Sequence, residues 1–500
     1  MKPAHRLDPR DAIAGVSVAL VVVPQSLAYA QLAGLPPGRG LYAASVPPLA
    51  AAPFGSSPYL QPGPTAVSAL LTFGALSPLA TVGSGRYIEL AALLALMVGV
   101  IRVVVGLLRA GVLAYLLSQP LLLGFVPAAA ILIIGSQLPA ALGAPVHGHH
   151  ILWQAAWAVV HPGQWRLDAT VVTVVAAALL VLSPRLHRLI PGVLIVAVGG
   201  IAYAKLGGYG GPEVGPIHAG LPPLTDSLPV SSLPELIVPA LVIALIGFVE
   251  ASSIARTYAT LDRKPWNANR EFLSQGVANL AAGAFGGFPV GASFSRSALN
   301  RLAGARSTAS GLVTGLVVLL FLPFGFLLSD LPQAVLAATI IVAVVPLVRL
   351  RPLLEVLRAS RIQFTITITT FALTLILSPH VERAVIVGAI LSVVIHLWRE
   401  LRLDVDSSRD GDVLHLRPAG VLWFGTAQKL DDRFIALLAE NPDAERLEIH
   451  LLGLGRIDLT GALALEKVIS DARRAGLDVE VGPAPAVAAQ LFGRVFPKAP

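Results

Sequence analysis

The stretch GGFPVGASFSRSALN, residues 286–300, places hydrogen-bonding side chains and a positive charge in a very apolar part of the chain. Ser293 and Ser295 offer hydroxyl donors, and Arg296 adds a fixed positive charge. The stretch LQPGPTAVSALL, residues 60–71, is similar, because a glycine-containing break again precedes small and hydroxyl residues. A helix that begins at such a break presents unpaired N–H groups and the positive end of its dipole. Two such N-termini that face each other suit the binding of an anion.

Within the second stretch, Pro64 can open a helix without wasting an N–H donor, and Thr65 supplies a hydroxyl. A purely structural interpretation of the first stretch stays open. In it, the two serines cap a helix and Arg296 extends to the inner membrane face. We favour the functional interpretation, because ionisable residues inside membrane segments usually mark a substrate pathway.

The other charge at depth is Glu250, which lies well inside the apolar segment 234–256. A buried carboxylate must pair with a cation or take up a proton, and Arg296 is its natural partner. Two interpretations remain open. Either the two residues form a structural ion pair, or the protonation of Glu250 is linked to substrate binding.

The composition indicates the class of protein to which these residues belong. The chain of 500 residues is 55% hydrophobic and only 13% charged, whereas a soluble protein carries about 25% charged residues. Long apolar segments recur along most of the chain, so we predict a polytopic membrane protein. The net charge of +7 comes from basic residues in short loops, which indicates topology-setting charge and no nucleic-acid partner. The chain has no cysteine, which excludes disulfides and thiolate sites.

Fourteen apolar segments can be marked between residues 12 and 397. The segments 42–52, 64–78 and 293–303 are shorter than the ~20 residues that a spanning helix needs. Segment 64–78 is the third of the first seven, and 293–303 is the third of the second seven. Short, interrupted segments at matching places in two halves are typical of inverted-repeat transporters. Their non-helical backbone must be buried in protein or line a wet cavity.

The charges of the loops predict on which side of the membrane the two termini lie. Lys and Arg are concentrated in the loops that this layout places on the side of the N-terminus, and the positive-inside rule makes that side cytoplasmic. The N-terminal MKPAHRLDPRD is then interpreted as a cytoplasmic tail and not a signal peptide. An even number of spans returns the chain to the cytoplasm before residue 400. We therefore expect a multi-pass protein of the cell membrane, surrounded by lipid, with both termini cytoplasmic.

From about residue 400 the composition changes. The stretches DGDVLHLRPAGVLWFG and RLEIHLLG alternate as strands do, and AQKLDDRFIALLAE and ALALEKVISDARRAG have helical periodicity. Leu430 and Phe434 share one face of the first of these helices, and Gly476 is expected to be the C′ residue of the second. Residues 400–500 are therefore predicted to form a small soluble α/β domain after a membrane domain of residues 1–399.

The remaining motifs argue against an enzyme. The histidine-rich stretch VHGHHILW, followed by His161, has weak metal-binding spacing and is expected to be a solvated extracellular loop. The sequence has no helical zinc motif, phosphate-binding lysine loop or ATPase signature. We therefore predict no catalytic residue, no cofactor and no metal site. Transport must then be driven by ion gradients or by exchange.

Three long motifs occur in order along the chain. They are DAIAGVSVALVVVPQSLAYAQLAGLPPGRGLYAA (11–44), YLLSQPLLLGFVPAAAILIIGSQLP (115–139) and NREFLSQGVANLAAGAFGGFPVGASFSRSALNRLAGARS (269–307). They resemble signatures of the SulP anion transporters, also called solute carrier family 26. The region after residue 400 is similar to the STAS domain that these transporters carry, so the resemblance covers nearly the whole chain.

The resemblance implies a mainly helical membrane fold of fourteen transmembrane segments. These form two inverted seven-helix repeats, divided into core and gate domains, in a homodimer. It places the anion between half-helices that begin near Pro64 and Ser293. The implied substrate-binding residues are Gln25, Tyr29, Thr65, Ala66, Ser293, Ser295 and Arg296. Glu250 matches an acidic position associated with cation coupling or with pairing to the arginine. In the STAS region, Thr460 of the turn 458–461 is expected to cap the following helix.

The sequence thus predicts a secondary active anion transporter, coupled to protons in symport and working by elevator-like alternating access. An uncoupled anion channel and an anion exchanger of the same fold stay open as alternatives, and sodium competes with the proton as the coupling ion. Sulfate, bicarbonate and dicarboxylates such as fumarate are all candidate substrates. A membrane sensor that signals through the STAS domain has little support, because the transport motifs are intact.

Overall fold

The computed structural model describes residues 8–111, 117–148, 150–187, 190–217, 220–400 and 403–483. The chain divides into two compact units, Met1–Ala389 and Ile390–Pro500, each of which is described by itself. The first unit is helical, and the second combines a sheet with helices.

The first unit consists almost entirely of helices. In chain order they are α1 (Pro9–Leu32), α2 (Gly38–Ala51), α3 (Ala66–Leu76), α4 (Gly85–Leu107), α5 (Gln119–Leu142), α6 (Ile151–Val160), α7 (Leu167–Leu186), α8 (Gly192–Leu206), α9 (Leu233–Leu261), α10 (Ala268–Ala284), α11 (Phe294–Leu302), α12 (Ala309–Phe321), α13 (Gln333–Val344), α14 (Arg351–Ala359), α15 (Arg361–Ile376) and α16 (Val381–Glu400), which runs on into the second unit. Two strands of two residues each, β1 (Pro62–Gly63) and β2 (Gly291–Ala292), precede α3 and α11. Each of the fourteen predicted apolar segments overlaps one of these helices.

Helices α6 and α14 lie outside the predicted apolar segments. The expectation of a solvated loop is wrong for α6, because Ile151, Ala155 and Ala158 are buried on one side of it. Helix α14 is short and amphipathic, and of its residues only Leu353 is buried. Because α14 carries charged residues, it does not coincide with any apolar segment of the sequence.

Eight helical stretches of the described chain are long and apolar enough to cross a membrane. They are Pro9–Leu32, Gly85–Leu107, Gln119–Leu142, Leu167–Leu186, Val230–Leu261, Ala309–Leu328, Gln333–Ala359 and Val381–Trp398. Helices α3, α6, α8 and α15 are apolar but shorter. In lipid every backbone polar group needs an internal partner, which helices provide. The chain is therefore a multi-pass membrane protein.

Helices α4 and α10 pack at very close range because glycines lie at their contact. A Cβ atom on Gly99 would lie 2.7 Å from the backbone nitrogen of Leu280, and one on Gly276 would lie 2.7 Å from that of Val103. Small residues let helices approach within a membrane, where packing and hydrogen bonds drive their association. This contact fixes the start of the segment that leads from α10 to β2.

The second unit contains a five-stranded sheet. After α16 its elements are β3 (Leu403–Asp410), β4 (Val413–Leu422), α17 (Ala427–Glu440), β5 (Arg446–Ile449), β6 (Leu454–Ile457), α18 (Leu459–Arg474) and β7 (Asp478–Val481). The strand order is β3-β4-β5-β7, and β6 also pairs with β4. Strands β3 and β4 are antiparallel, whereas the other pairs are parallel. Alternate residues of the sheet and the apolar faces of both helices form one core that includes Leu414, Leu416, Phe434, Leu447 and Leu465.

Two local expectations for this unit are confirmed and one is wrong. Helix α17 covers AQKLDDRFIALLAE with Leu430 and Phe434 buried, and Gly476 follows the cap of α18 with a φ of +92°. Thr460, however, is not the N-cap of α18. Asp458 holds that position, and its Oδ1 accepts a hydrogen bond of 2.7 Å from the backbone nitrogen of Gly461. A carboxylate is the stronger acceptor because it is charged.

Candidate functional site

Strands β1 and β2 bring the two break segments of the sequence together. They pair antiparallel, with Pro62 opposite Ala292 and Gly63 opposite Gly291. Helices α3 and α11 begin within three residues of this crossing. Two short helices from distant parts of the chain therefore start at the same place in the first unit.

Arg296 links the two segments from inside. Its side chain is buried, with 1% of the residue exposed. One terminal nitrogen, Nη1, donates to the Pro64 carbonyl at 2.5 Å, and Nη2 lies 3.5 Å from the Gln61 carbonyl. A Cβ on Gly63 would lie 3.4 Å from Nη2, so the glycine lets the guanidinium lie against β1. Within the described chain the Nε of Arg296 has no hydrogen-bond partner.

The two helix N-termini differ in how their backbone amides are satisfied. Thr65 caps α3, because its Oγ1 accepts from the backbone nitrogen of Ser68 at 3.2 Å and donates to the Ser68 hydroxyl at 3.0 Å. Ser293 holds the N-cap position of α11 but makes no capping hydrogen bond. Its hydroxyl instead lies 3.0 Å from that of Ser295. Because the first amides of a helix have no partner inside it, the start of α11 keeps its donors for another acceptor.

Helix α1 adds two of the predicted residues to this place. It packs against both α3 and α11, and Gln25 and Tyr29 are buried on it one helical turn apart. Tyr29 interacts electrostatically with Arg296 and with Glu250. Of the predicted residues, Gln25, Tyr29, Thr65, Ala66 and Arg296 are buried, Ser293 is half-buried and Ser295 is exposed.

Glu250 lies in α9, which packs against α3 and β2. Arg296 and Arg102 both act on its carboxylate electrostatically. Of the two interpretations left open for Glu250, the direct ion pair with Arg296 is not found, because no such contact joins these two described residues. The physical reason is that the terminal nitrogens of Arg296 are directed at the carbonyls of Gln61 and Pro64. The carboxylate therefore acts on the arginine through space.

A buried arginine that sequence reasoning missed holds the segment before β2. Arg102 of α4 is fully buried and donates to three carbonyl oxygens, those of Ile243 at 3.0 Å, Ala244 at 3.1 Å and Val290 at 3.1 Å. A Cβ on Gly247 would lie 2.3 Å from its Nη2, so this position of α9 has no space for a side chain. The sequence does contain a signal for this residue, because Arg102 is a lone arginine in an apolar segment.

Asn279 of α10 completes the support of this segment. Its Oδ1 accepts from the Val290 backbone nitrogen at 2.9 Å, and its Nδ2 donates to the Val290 carbonyl at 3.0 Å. Together with Arg102, it satisfies non-helical backbone that would otherwise be unpaired at membrane depth. The start of α11 is thereby held in a fixed position.

This arrangement is suited to binding an anion and not to covalent chemistry. Two buried guanidinium groups, those of Arg102 and Arg296, act electrostatically on one carboxylate, that of Glu250, so basic side chains outnumber acidic ones in this group. Helix amides and serine hydroxyls add uncharged donors. Among the described residues, the one cluster with metal-ligand spacing lies in the second unit and comprises His415, Glu448 and His450.

Comparison with known proteins identifies relatives along most of the chain. The sequence profile of the Sulfate permease family matches residues 9–370. A probable sulfate transporter of Mycobacterium tuberculosis (strain ATCC 25618 / H37Rv) is 35% identical over 370 residues, which cover 73% of this chain and 66% of that protein, just under two thirds of its length. The sodium-independent sulfate anion transporter of Bos taurus is 30% identical over 505 residues, which cover 93% of this chain and 82% of that protein.

Two solved structures have a similar fold. The murine solute carrier 26 family member A9 anion transporter in the inward-facing state has a TM-score of 0.87 at 22% identity, covering 98% of this chain and 88% of that one. The transmembrane domain of a cyanobacterium bicarbonate transporter has a TM-score of 0.66 at 24% identity, covering 78% of this chain and 99% of that one. At these identities the likeness concerns the fold alone.

Proposed function

The chain belongs to the Sulfate permease family, and on that premise we propose that it is a secondary active transporter of small anions. The relatives described above are named as transporters and not as enzymes. The observation that carries the proposal is the uncapped N-terminus of α11 beside the buried Arg296, held against α3 by the crossing of β1 and β2. The proposed substrate site comprises Gln25, Tyr29, Thr65, Ala66, Ser293, Ser295 and Arg296.

The proposed architecture follows from the family and from the two short helices. Residues 1–399 form a transport domain of fourteen membrane segments in two inverted repeats, and residues 400–500 form a cytoplasmic STAS domain. The matching order of β1 and α3 in the first half and β2 and α11 in the second supports the repeat. Both termini are cytoplasmic, the working unit is a homodimer, and the core domain moves in an elevator-like manner.

Sulfate is the first substrate to test, because two of the relatives are named for it. The start of α11 offers amides, hydroxyls and positive charge, all of which favour an ionised oxyanion. Bicarbonate and dicarboxylates such as fumarate have the same chemistry in their carboxylate or carbonate oxygens. They are therefore the alternatives in the same assay.

Proton symport is the proposed coupling, with Glu250 as the proton acceptor. Since Glu250 acts on Arg296 through space, its negative charge offsets part of the attraction for an anion. Protonation removes this offset, so that a proton and an anion bind together. Sodium is the competing coupling ion. The buried hydroxyl of Ser252, which has no partner in the described chain, is an oxygen that such an ion could use.

Uptake into proteoliposomes tests both parts of this proposal. Purified protein is reconstituted and given radiolabelled sulfate, bicarbonate or fumarate, with and without an inward proton gradient and with and without sodium. Saturable uptake of one anion, stimulated by the proton gradient, is the expected result. Large uncoupled currents would instead identify a channel, and uptake that needs a counter-anion would identify an exchanger.

Glu250→Gln tests the coupling residue. Because glutamine keeps the size of the side chain but cannot ionise, we expect the variant to lose stimulation by the proton gradient while radiolabelled anion still binds. Glu235→Gln is the matched control, since Glu235 is an exposed carboxylate in the first turn of the same helix. Full proton stimulation of Glu250→Gln, or wild-type uptake that follows sodium and ignores pH, would contradict the proposal.

A further inference from the structure

Three side chains of the second unit converge on one point. The Nδ1 atom of His415 lies 3.1 Å from the Nε2 atom of His450 and 3.1 Å from Oε2 of Glu448. The Nε2 atom of His450 lies 3.6 Å from the same carboxylate oxygen. Two nitrogens and one oxygen, all able to act as ligands, therefore form a small triangle.

The sheet places these residues by its register. His415 of β4 is the partner of Glu448 on the parallel strand β5, and His450, two residues after Glu448, directly follows that strand. Their neighbours Leu414 and Leu447 belong to the core. Because successive side chains of a strand alternate between faces, the triangle lies on the opposite face. The backbone of two paired strands thus holds the ligands.

The size of the triangle fits a metal ion. In a tetrahedral zinc site with metal–ligand distances of about 2.0–2.1 Å, two ligand atoms lie about 3.3–3.4 Å apart. The three observed separations of 3.1, 3.1 and 3.6 Å are close to that value. Two imidazoles and one carboxylate are also a donor set that zinc uses in proteins.

We propose that His415, Glu448 and His450 bind a divalent transition-metal ion, with zinc as the best match in geometry. The side chains of the three residues are 17%, 33% and 42% exposed, respectively. Solvent therefore reaches the triangle, and water completes the coordination as a fourth ligand. These three residues belong to the second unit, whereas the residues of the proposed anion site belong to the first.

The alternative is a hydrogen-bonded triad without a metal. In it, His415 carries a proton on Nδ1 and shares it between the Glu448 carboxylate and the Nε2 atom of His450. This arrangement needs a proton at the centre of the triangle, whereas the metal site needs both imidazoles neutral and unprotonated at these atoms. The two states can be told apart by adding metal and by spectroscopy.

The experiment uses the purified full-length protein, stripped with a chelator and titrated with Zn²⁺ alone by calorimetry. We expect one ion per chain. His415→Gln and His450→Gln should each weaken binding by more than the loss of an outer-shell partner does, which is about 10–100-fold. Glu445→Gln and His396→Gln are matched controls, because both residues are exposed and lie outside the triangle.

Cobalt(II) gives a readout that does not depend on any variant. Co²⁺ bound to the wild-type protein should show the visible absorption of a tetrahedral site, and added Zn²⁺ should displace it. The proposal is overturned if the wild-type protein retains neither ion, if cobalt binds with an octahedral spectrum, or if both histidine variants bind zinc as tightly as the wild-type protein.

Discussion

The two short helices α3 and α11 meet at one crossing but are built in opposite ways. In α3 every residue except Phe73 is buried, and the Thr65 side chain caps the helix. In α11 only Arg296, Ser297 and Asn300 are buried, and the N-cap position makes no capping bond. Helix α3 is thus closed, in the sense that it is buried and its N-terminus is capped. The start of α11 is open, because it is partly exposed and has no side-chain cap.

Because of this difference, the starts of α3 and α11 have different roles in the proposed anion site. A helix N-terminus whose amide is already bonded to its own cap has less to offer a ligand than one whose amides are unpaired. Helix α3 would then supply a rigid wall, and α11 would supply the donors. Arg296 belongs to both, because it starts from α11 and donates to the carbonyls of Gln61 and Pro64 just before α3.

Loss of the arginine should have the largest effect, since it removes the link between the two helices as well as a positive charge. We expect Arg296→Ala to reduce concentrative anion uptake to background, because hydrogen bonds made by a charged group contribute about 1.5–3 kcal/mol each. The measurement is initial uptake in proteoliposomes at matched protein content. Size-exclusion chromatography checks that the variant is folded.

Arg306→Ala is the control for this variant. Arg306 lies just beyond α11 and forms an exposed ion pair with Asp8 at 3.7 Å, and such pairs contribute about 0–1 kcal/mol. Its uptake should equal that of the wild-type protein. A folded Arg296→Ala protein with wild-type uptake would show that the arginine serves neither the site nor the crossing.

Removal of the cap on α3 should have a smaller effect, and on stability more than on transport. We expect Thr65→Ala to lower the free energy of unfolding by about 2 kcal/mol, at the upper end for a cap, because the substitution removes the acceptor of the Ser68 amide and Ser68 is buried. Unfolding in increasing SDS measures this loss. Thr65→Ser keeps the acceptor oxygen and should restore stability, whereas equal stability of all three proteins would contradict the cap.

The sequence was sufficient to find both helices of this comparison. Glycine and proline interrupt two short apolar segments at matching places, and this local signal predicts where a helix starts. The elements of the second unit could be predicted for the same reason, since α17 and β4 follow from periodicity alone. Each of these features depends on residues that are neighbours along the chain.

The contacts between distant residues could not be predicted in this way. Arg102 was visible in an apolar segment, but nothing in the sequence tells that its acceptors are the carbonyls of Ile243, Ala244 and Val290. Likewise, opposite charge suggested an ion pair between Glu250 and Arg296, although backbone carbonyls compete for the same donors. The alternating pattern predicts strands around His415 and His450, but only the strand register brings the two side chains together.

The smallest expected effect comes from the uncapped end of α11, and it distinguishes the two helices most directly. Ser293→Ala removes a hydroxyl at the position that corresponds to Thr65, but no capping bond is lost. We therefore expect unchanged stability in SDS. If the hydroxyl donates to the anion, its loss should cost about 1 kcal/mol, or roughly a fivefold rise in the KM for uptake with the maximal rate retained. A Ser293→Ala protein that unfolds as readily as Thr65→Ala, with an unchanged KM, would mean that both hydroxyls are caps and that α11 is as closed as α3.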